Sequence, residues 1–247
     1  QLVAGKLLVL AGVAALALAP VVLSLIWIAL ATPAPASLAL LLMSGYGIWL
    51  FLWVIAVVGV STLVARGRDA LIVLLALWVI TVVLVPRLGA DLVAWSLPLP
   101  TRFETDISVS RDLAAMGDSH NPDDPYFNAF REKVLTQYGV ARVEDLPVNY
   151  KGILGMEGER LTSALFDRYA AASFTNQEQQ LQYVDAFSLV SPVIALRRIS
   201  MIASGTDLHA YRRFLEQAEH HRYELVQKLN RLQAEKLSYD ADRSSRE

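Results

Sequence analysis

The pattern of apolar and polar positions divides the chain near Pro98. Before it, three apolar stretches run almost unbroken; after it, apolar residues recur at three- and four-residue spacing among charged ones. Span A is free of charge from about Leu7 to Ala31. Span B runs from about Leu38 to Ala65, and span C from about Ala70 through Pro86 to Trp95. About 20 apolar residues in a helix cross a hydrocarbon core about 30 Å thick, so each stretch predicts a transmembrane helix. Pro20 removes a backbone donor and should kink span A. Ala11, Ala15 and Ala19 recur every fourth residue, a spacing that predicts close helix packing in lipid. Ser44 and Tyr46 are candidates for lining a path; the plainer reading is an interhelical hydrogen bond or an interfacial aromatic. Residues 32–37 form a turn, Arg66-Gly67-Arg68-Asp69 a tight charged loop, and Arg87 and Asp91 can pair at i, i+4.

Beyond Pro98 the same reading predicts helices over Arg102–Met116 and Tyr126–Tyr138, the second ended by Gly139. Val143–Pro147 reads as one helical turn and Asn149–Gly155 as a loop. A long helix over Glu157–Leu189 carries Leu161, Leu165, Tyr169, Ala172, Leu181 and Val184 toward a core. Ser191-Pro192 opens a short helix to about Ala203. The last helix repeats Leu208, Tyr211, Leu215, Ala218, Arg222, Leu225, Leu229 and Leu232, a coiled-coil-like seam expected to pack on the Glu157–Leu189 helix as a long hairpin. No stretch alternates with the period of a strand. The fold class predicted is all-α: a transmembrane region over 1–97, then a helical extracytoplasmic domain over 98–247.

Charge sets the direction of the spans. Residues 1–97 hold only Lys6, Arg66, Arg68, Arg87, Asp69 and Asp91, whereas residues 98–247 hold 18 Lys and Arg against 22 Asp and Glu. The balance of −4, with signs mixed, excludes a nucleic-acid surface, which needs clustered positive charge. Lys6, Arg66 and Arg68 share one side, and positive charge marks the cytoplasmic side. Residues 98–247 are therefore expected in the periplasm or outside the cell.

Chemistry is sparse. The chain has no cysteine, which excludes disulfides and thiolate catalysis. It has no phosphate-cradling Gly-x-x-x-x-Gly-Lys-Ser/Thr, no His-Glu-x-x-His and no Gly-x-Ser-x-Gly, so it is not expected to be an enzyme or to hold a cofactor. The nearest approach to a metal constellation is Glu216 and His220, one helical turn apart with His209, His221 and Glu224 nearby. That helix is dense in charge, and a polar outer face is the expected reading. His120 sits in a polar loop.

Several short segments carry a family resemblance. They are Gly5-Lys6, Tyr138-Gly139-Val140, Glu144 to Tyr150, Gly152, Ser191-Pro192, Ser200-Met201, Gly205-Thr206-Asp207, Phe214, Ala218-Glu219, Arg222 and Leu229-Asn230. Together they resemble the permease subunits of bacterial ABC transporters of the type-2 exporter kind. Within these the chain is similar to a group labelled as involved in multicopper-enzyme maturation, with a large helical extracytoplasmic domain. The resemblance implies an inner-membrane protein with six spans, of which A, B and C would be the third to fifth, so this chain is expected to be part of a longer one. It implies a second permease subunit and a separate ATPase subunit, which would itself hold ATP and magnesium and lie on the cytoplasmic side near Lys6, Arg66 and Arg68. A periplasmic partner is a further possibility. The alternative, from another class, is a membrane-anchored binding or scaffold protein whose external domain works alone.

Overall fold

The computed structural model describes residues 2–31, 35–119, 121 and 123–237. Among these, every regular element is helical. The sequence-predicted turn over 32–37 is described only from Pro35 onward, and His120 lies outside the described residues. Two compact units are formed: residues 1–98 with 177–211, and residues 99–176 with 212–247. The boundary near Pro98 recurs, but a stretch from the charged half joins the spans.

In the first unit, α1 (Leu2–Ala31) and α2 (Ala36–Leu63) are followed by α3 (Gly67–Trp78). A π-helical turn, Val79–Leu84, leads from α3 into α4 (Val85–Ser96) without a break. Three rods result, Val3–Ile28, Ala36–Leu63 and Gly67–Ser96, each long and apolar enough to cross a membrane. Leu8, Leu16, Trp27, Leu40, Phe51, Leu63 and Leu71 are exposed on them, a surface suited to lipid rather than water. Pro20 lies inside α1. Residues Leu10, Ala14, Leu18, Val22 and Leu25 form the less exposed stripe of α1.

The π turn has a cause that can be read from the backbone. The Val85 amide donates to the Ile80 carbonyl, five residues back. The next carbonyl in that register, Thr81, would take its bond from residue 86, and Pro86 has no N–H to give. The Ser191 hydroxyl donates to the Thr81 carbonyl instead, and Ser191 is fully buried.

In the second unit, α5 (Arg102–Met116) opens with a capping box in which Thr101 and Glu104 satisfy each other's backbone amides. α6 (Pro125–Tyr138) opens on the Asp124 carboxylate, which accepts from the Phe127 and Asp118 amides, and ends on left-handed Gly139. A 3₁₀ turn, Val143–Asp145, is held by the Arg142–Asp145 pair.

α7 (Tyr150–Ala186) corrects the loop expected over Asn149–Gly155. Its glycines are not there to bend the chain. A Cβ on Gly152 would meet the Ala234 amide nitrogen at 2.4 Å and the Asn230 carbonyl at 2.5 Å, and one on Gly155 would meet the Asn230 side chain at 3.0 Å. They let α9 (Leu208–Lys236) cross at backbone distance. The Asn149 amide seals this joint by donating to the Ala234 carbonyl at 2.8 Å. The expected core face of α7 is largely kept: Leu165 is buried and Leu161 and Tyr169 half-buried, whereas Ala172 is exposed.

The seam on α9 is also corrected. Tyr211, Leu225 and Leu229 are half or more exposed, and Leu215 and Leu232 are exposed as well. Of the expected seam Arg222 does reach α7, at Glu159 and Ser163, and the other α9 residues that meet it are Asn230, Ala234, Gln227 and Glu219 rather than the leucines. The small and polar surface of α7 at Gly152, Gly155 and Ser163 has room for those side chains and not for a leucine ridge.

Candidate functional site

Within the first unit, a segment from the charged half of the chain is seated on the spans. A 3₁₀ turn, Phe187–Leu189, is followed by α8 (Pro192–Ser204), whose cap Gly205 is left-handed. Two span glycines receive it. Gly45 of α2 lies under Ile199 and Leu196, with room for a Cβ only at 3.2 Å from Ile199 Cγ2, and Gly89 of α4 lies under the Phe187 ring at 3.0 Å. Gln180 donates to the Leu97 carbonyl at 2.5 Å, and Asp185 pairs with Arg198 at 3.3 Å.

Between α2, the π turn and the start of α8 lies a pocket of about 190 Å³, lined by Trp49, Trp53, Leu77, Thr81, Val190 and Pro192 among others. The Trp49 and Trp53 rings meet edge to face at 6.5 Å. The hydroxyl of Thr81 is spent on the Leu77 carbonyl at 2.8 Å. Among the described residues, no charged side chain lines this space.

The site residues expected from the sequence fall in three places. Lys6 Nζ donates to Ser61 Oγ at 3.3 Å, so Lys6 sits beside the end of α2 that leads into Arg66 and Arg68. Arg66 is exposed at the N-cap of α3, and Arg68 pairs with Asp69 at 3.6 Å. These three cations thus share one end of the unit. Ala11 and Ala15 are exposed and Ala19 is half-buried, beside the stripe of α1 that is least exposed. Ser44 is exposed and its hydroxyl donates to the Leu41 carbonyl, while Tyr46 is half-buried. The residue between them, Gly45, is the one that meets α8, and no periodicity marks it.

Each of the weak metal candidates, Glu216 and His220, has a neighbour one turn away on α9. Glu216 accepts from Arg212 at 2.7 Å, and His220 Nε2 lies 3.2 Å from Glu224. Among the described residues no group of three His, Cys, Asp or Glu is placed to hold a metal. Both line a groove of about 520 Å³ on the second unit, between α7 and α9, with Ala164, Asp167, Phe174 and Tyr223. Its rim is a network of ion pairs. Arg222 reaches Glu159 and Glu219 at 2.6 Å, which holds Glu219 below the usual carboxylate range. Nearby, Tyr126 donates to Glu157, and Arg160 bonds Glu157 at 2.7 Å. The Arg160 guanidinium lowers the Glu157 pKa, and hydrogen bonding to Glu157 raises that of the Tyr126 phenol. Ser163 joins the Arg222 network, its hydroxyl donating to Glu159 at 2.8 Å and accepting from Arg222 at 2.9 Å.

A family model described as "Domain of unknown function (DUF3526)" matches residues 102–246, more than half of the chain. The chain belongs to this family. No curated protein and no solved structure matches it. The DUF3526 segment starts at the first residue of α5 and contains Phe187, Ser191 and Ile199, the residues that meet the spans.

Proposed function

We propose that the chain is a permease subunit, or a large part of one, of an ATP-driven ABC transporter in a bacterial inner membrane. A separate ATPase subunit would bind ATP and magnesium, and a second permease subunit would complete the path along which a substrate is moved across, or extracted from, the bilayer. Lys6, Arg66 and Arg68, gathered at one end of the spans, form the cytoplasmic end that an ATPase would push. On this reading the remaining charged half of the chain lies in the periplasm or outside, where it can meet a periplasmic partner. Stiff helices can convert a push at one end into movement at the other.

One observation carries this reading against the membrane-anchored binding or scaffold protein. An anchor needs only a tether, yet Phe187 to Ile199 is fitted onto two span glycines and caps a span carbonyl. That degree of fit belongs to a chain whose two halves work together. The test is affinity purification of the intact protein from its native membrane. The reading predicts a co-purifying subunit with ATP hydrolysis; a homogeneous preparation that never carries one contradicts it. Expressed alone, residues 98–247 should expose Phe187, Ile194 and Leu196 and be cut by protease in that stretch. A stable, protease-resistant fragment that binds a ligand would support the anchor instead.

A further inference from the structure

We propose that Phe187–Ile199 is a re-entrant segment whose tip lies in the hydrocarbon of the bilayer, and that an alkyl chain of a bilayer lipid fills the pocket beside that tip. The inference needs the three rods to cross a bilayer, and it does not depend on transport.

Depth can be counted along two rods independently. Arg66 and Arg68 hold one end of α3 at a polar surface, and Arg87 pairs with Asp91 at 2.9 Å with both side chains exposed. From Gly67 to Arg87 is about 20 residues, the length that crosses the hydrocarbon core. Thr81 lies roughly 9 Å inside the Arg87 boundary at 1.5 Å per residue. Along α2, counting about 20 residues back from Leu63 ends near residue 43. Trp49 and Trp53 then lie roughly 9 and 15 Å inside it. Both counts put the pocket within the hydrocarbon.

The segment follows the same depth scale. Phe187 meets Gly89, just outside the Arg87 boundary; Ser191 meets Thr81, well inside; Ile199 meets Gly45, close to the boundary again. The chain goes in and comes back. Irregular backbone survives at that depth only when its polar groups are satisfied within the protein. Here the Val190 and Ser191 amides both donate to the Phe187 carbonyl, the Ile194 amide donates to the Ser191 carbonyl, and the Ser191 hydroxyl takes Thr81. The tip is Leu189 and Val190, 91% and 59% exposed, which water would penalise and hydrocarbon would not.

The pocket's occupant follows from its walls. Its lining is apolar apart from Thr81, whose hydroxyl already donates to Leu77, and the indole N–H groups of Trp49 and Trp53, and it holds no charge, so water would find few partners there. At this depth the molecules at hand are lipid chains, and an alkyl chain needs only contact.

The absence of cysteine in the chain makes the test direct. A spin label on Leu189→Cys, in the full chain in vesicles, should be reached by oxygen and lose access to a water-soluble nickel chelate, as should a label on Ile72→Cys. A label on Phe103→Cys should keep chelate access. Chelate access at Leu189, or access by neither reagent, overturns the re-entrant segment. For the pocket, Trp27, Trp78 and Trp95 are changed to Phe so that Trp49 and Trp53 report. Phosphatidylcholine brominated in mid-chain should quench them, and Ala56→Leu, which fills part of the pocket, should lower that quenching. Quenching unchanged by Ala56→Leu overturns the lipid chain in the pocket.

Discussion

Ser191 shows how one hydroxyl can be tied to a residue far away in the chain. It is needed because Pro86 cannot donate to Thr81, and a buried carbonyl without a partner costs about 1–3 kcal/mol. Ser191→Ala should therefore destabilise the protein by about that much in thermal unfolding, since its own site is fully buried. In a Pro86→Ala background residue 86 regains its N–H, and the same change should cost less. Equal costs in both backgrounds would show that the hydroxyl does not serve this carbonyl. Gly152 makes the opposite point, because there the side chain must be absent. Gly152→Ala places a carbon against the backbone of α9 and should cost at least about 1–3 kcal/mol by forcing the helices apart. Unchanged stability would contradict the close crossing.

At the scale of elements, periodicity and end signals locate the helices well. Arg102–Met116 and the Gly139 stop agree with the structure because a capping box and a left-handed glycine act locally. Spacing fails where the deciding partner is distant. Gly152 and Gly155 read as a loop because their reason lies on α9. The leucines of α9 read as a seam toward α7 because spacing alone does not say what the neighbour can receive. Ser191-Pro192 is legible as a helix start, but not as a helix fitted to a proline-induced defect far back in the chain. The Tyr126–Glu157–Arg160 cluster gives an element-level prediction in pH. The Glu157 pKa is lowered in the fold, so its contribution is complete above the unfolded carboxylate range, near ~4.3, and is lost as pH falls through the folded value. The Tyr126 pKa is raised, so its contribution is complete below ~10 and is lost as pH rises through the folded value. Glu157→Gln should flatten the acid limb of the melting temperature against pH, and Tyr126→Phe the alkaline limb. Limbs that keep their slopes would remove the cluster from the account.

For the whole molecule, the first unit joins residues from both halves of the sequence, and the choice between a working permease and a simple anchor depends on that union. Three rods alone would be an anchor; three rods that receive a DUF3526 segment at Gly45, Thr81 and Gly89 form one built object. The direct test is a cysteine pair in this cysteine-free chain, Gly45→Cys with Ile199→Cys, oxidised in intact membranes. A Cβ at Gly45 lies 3.2 Å from Ile199 Cγ2, and trimming Ile199 to cysteine makes room for a bond that needs Cβ atoms about 3.5–4.5 Å apart. The account predicts a disulfide-linked peptide joining residues 45 and 199 within one chain, found by mass spectrometry without reductant. Two free thiols after complete oxidation of the sample would contradict it.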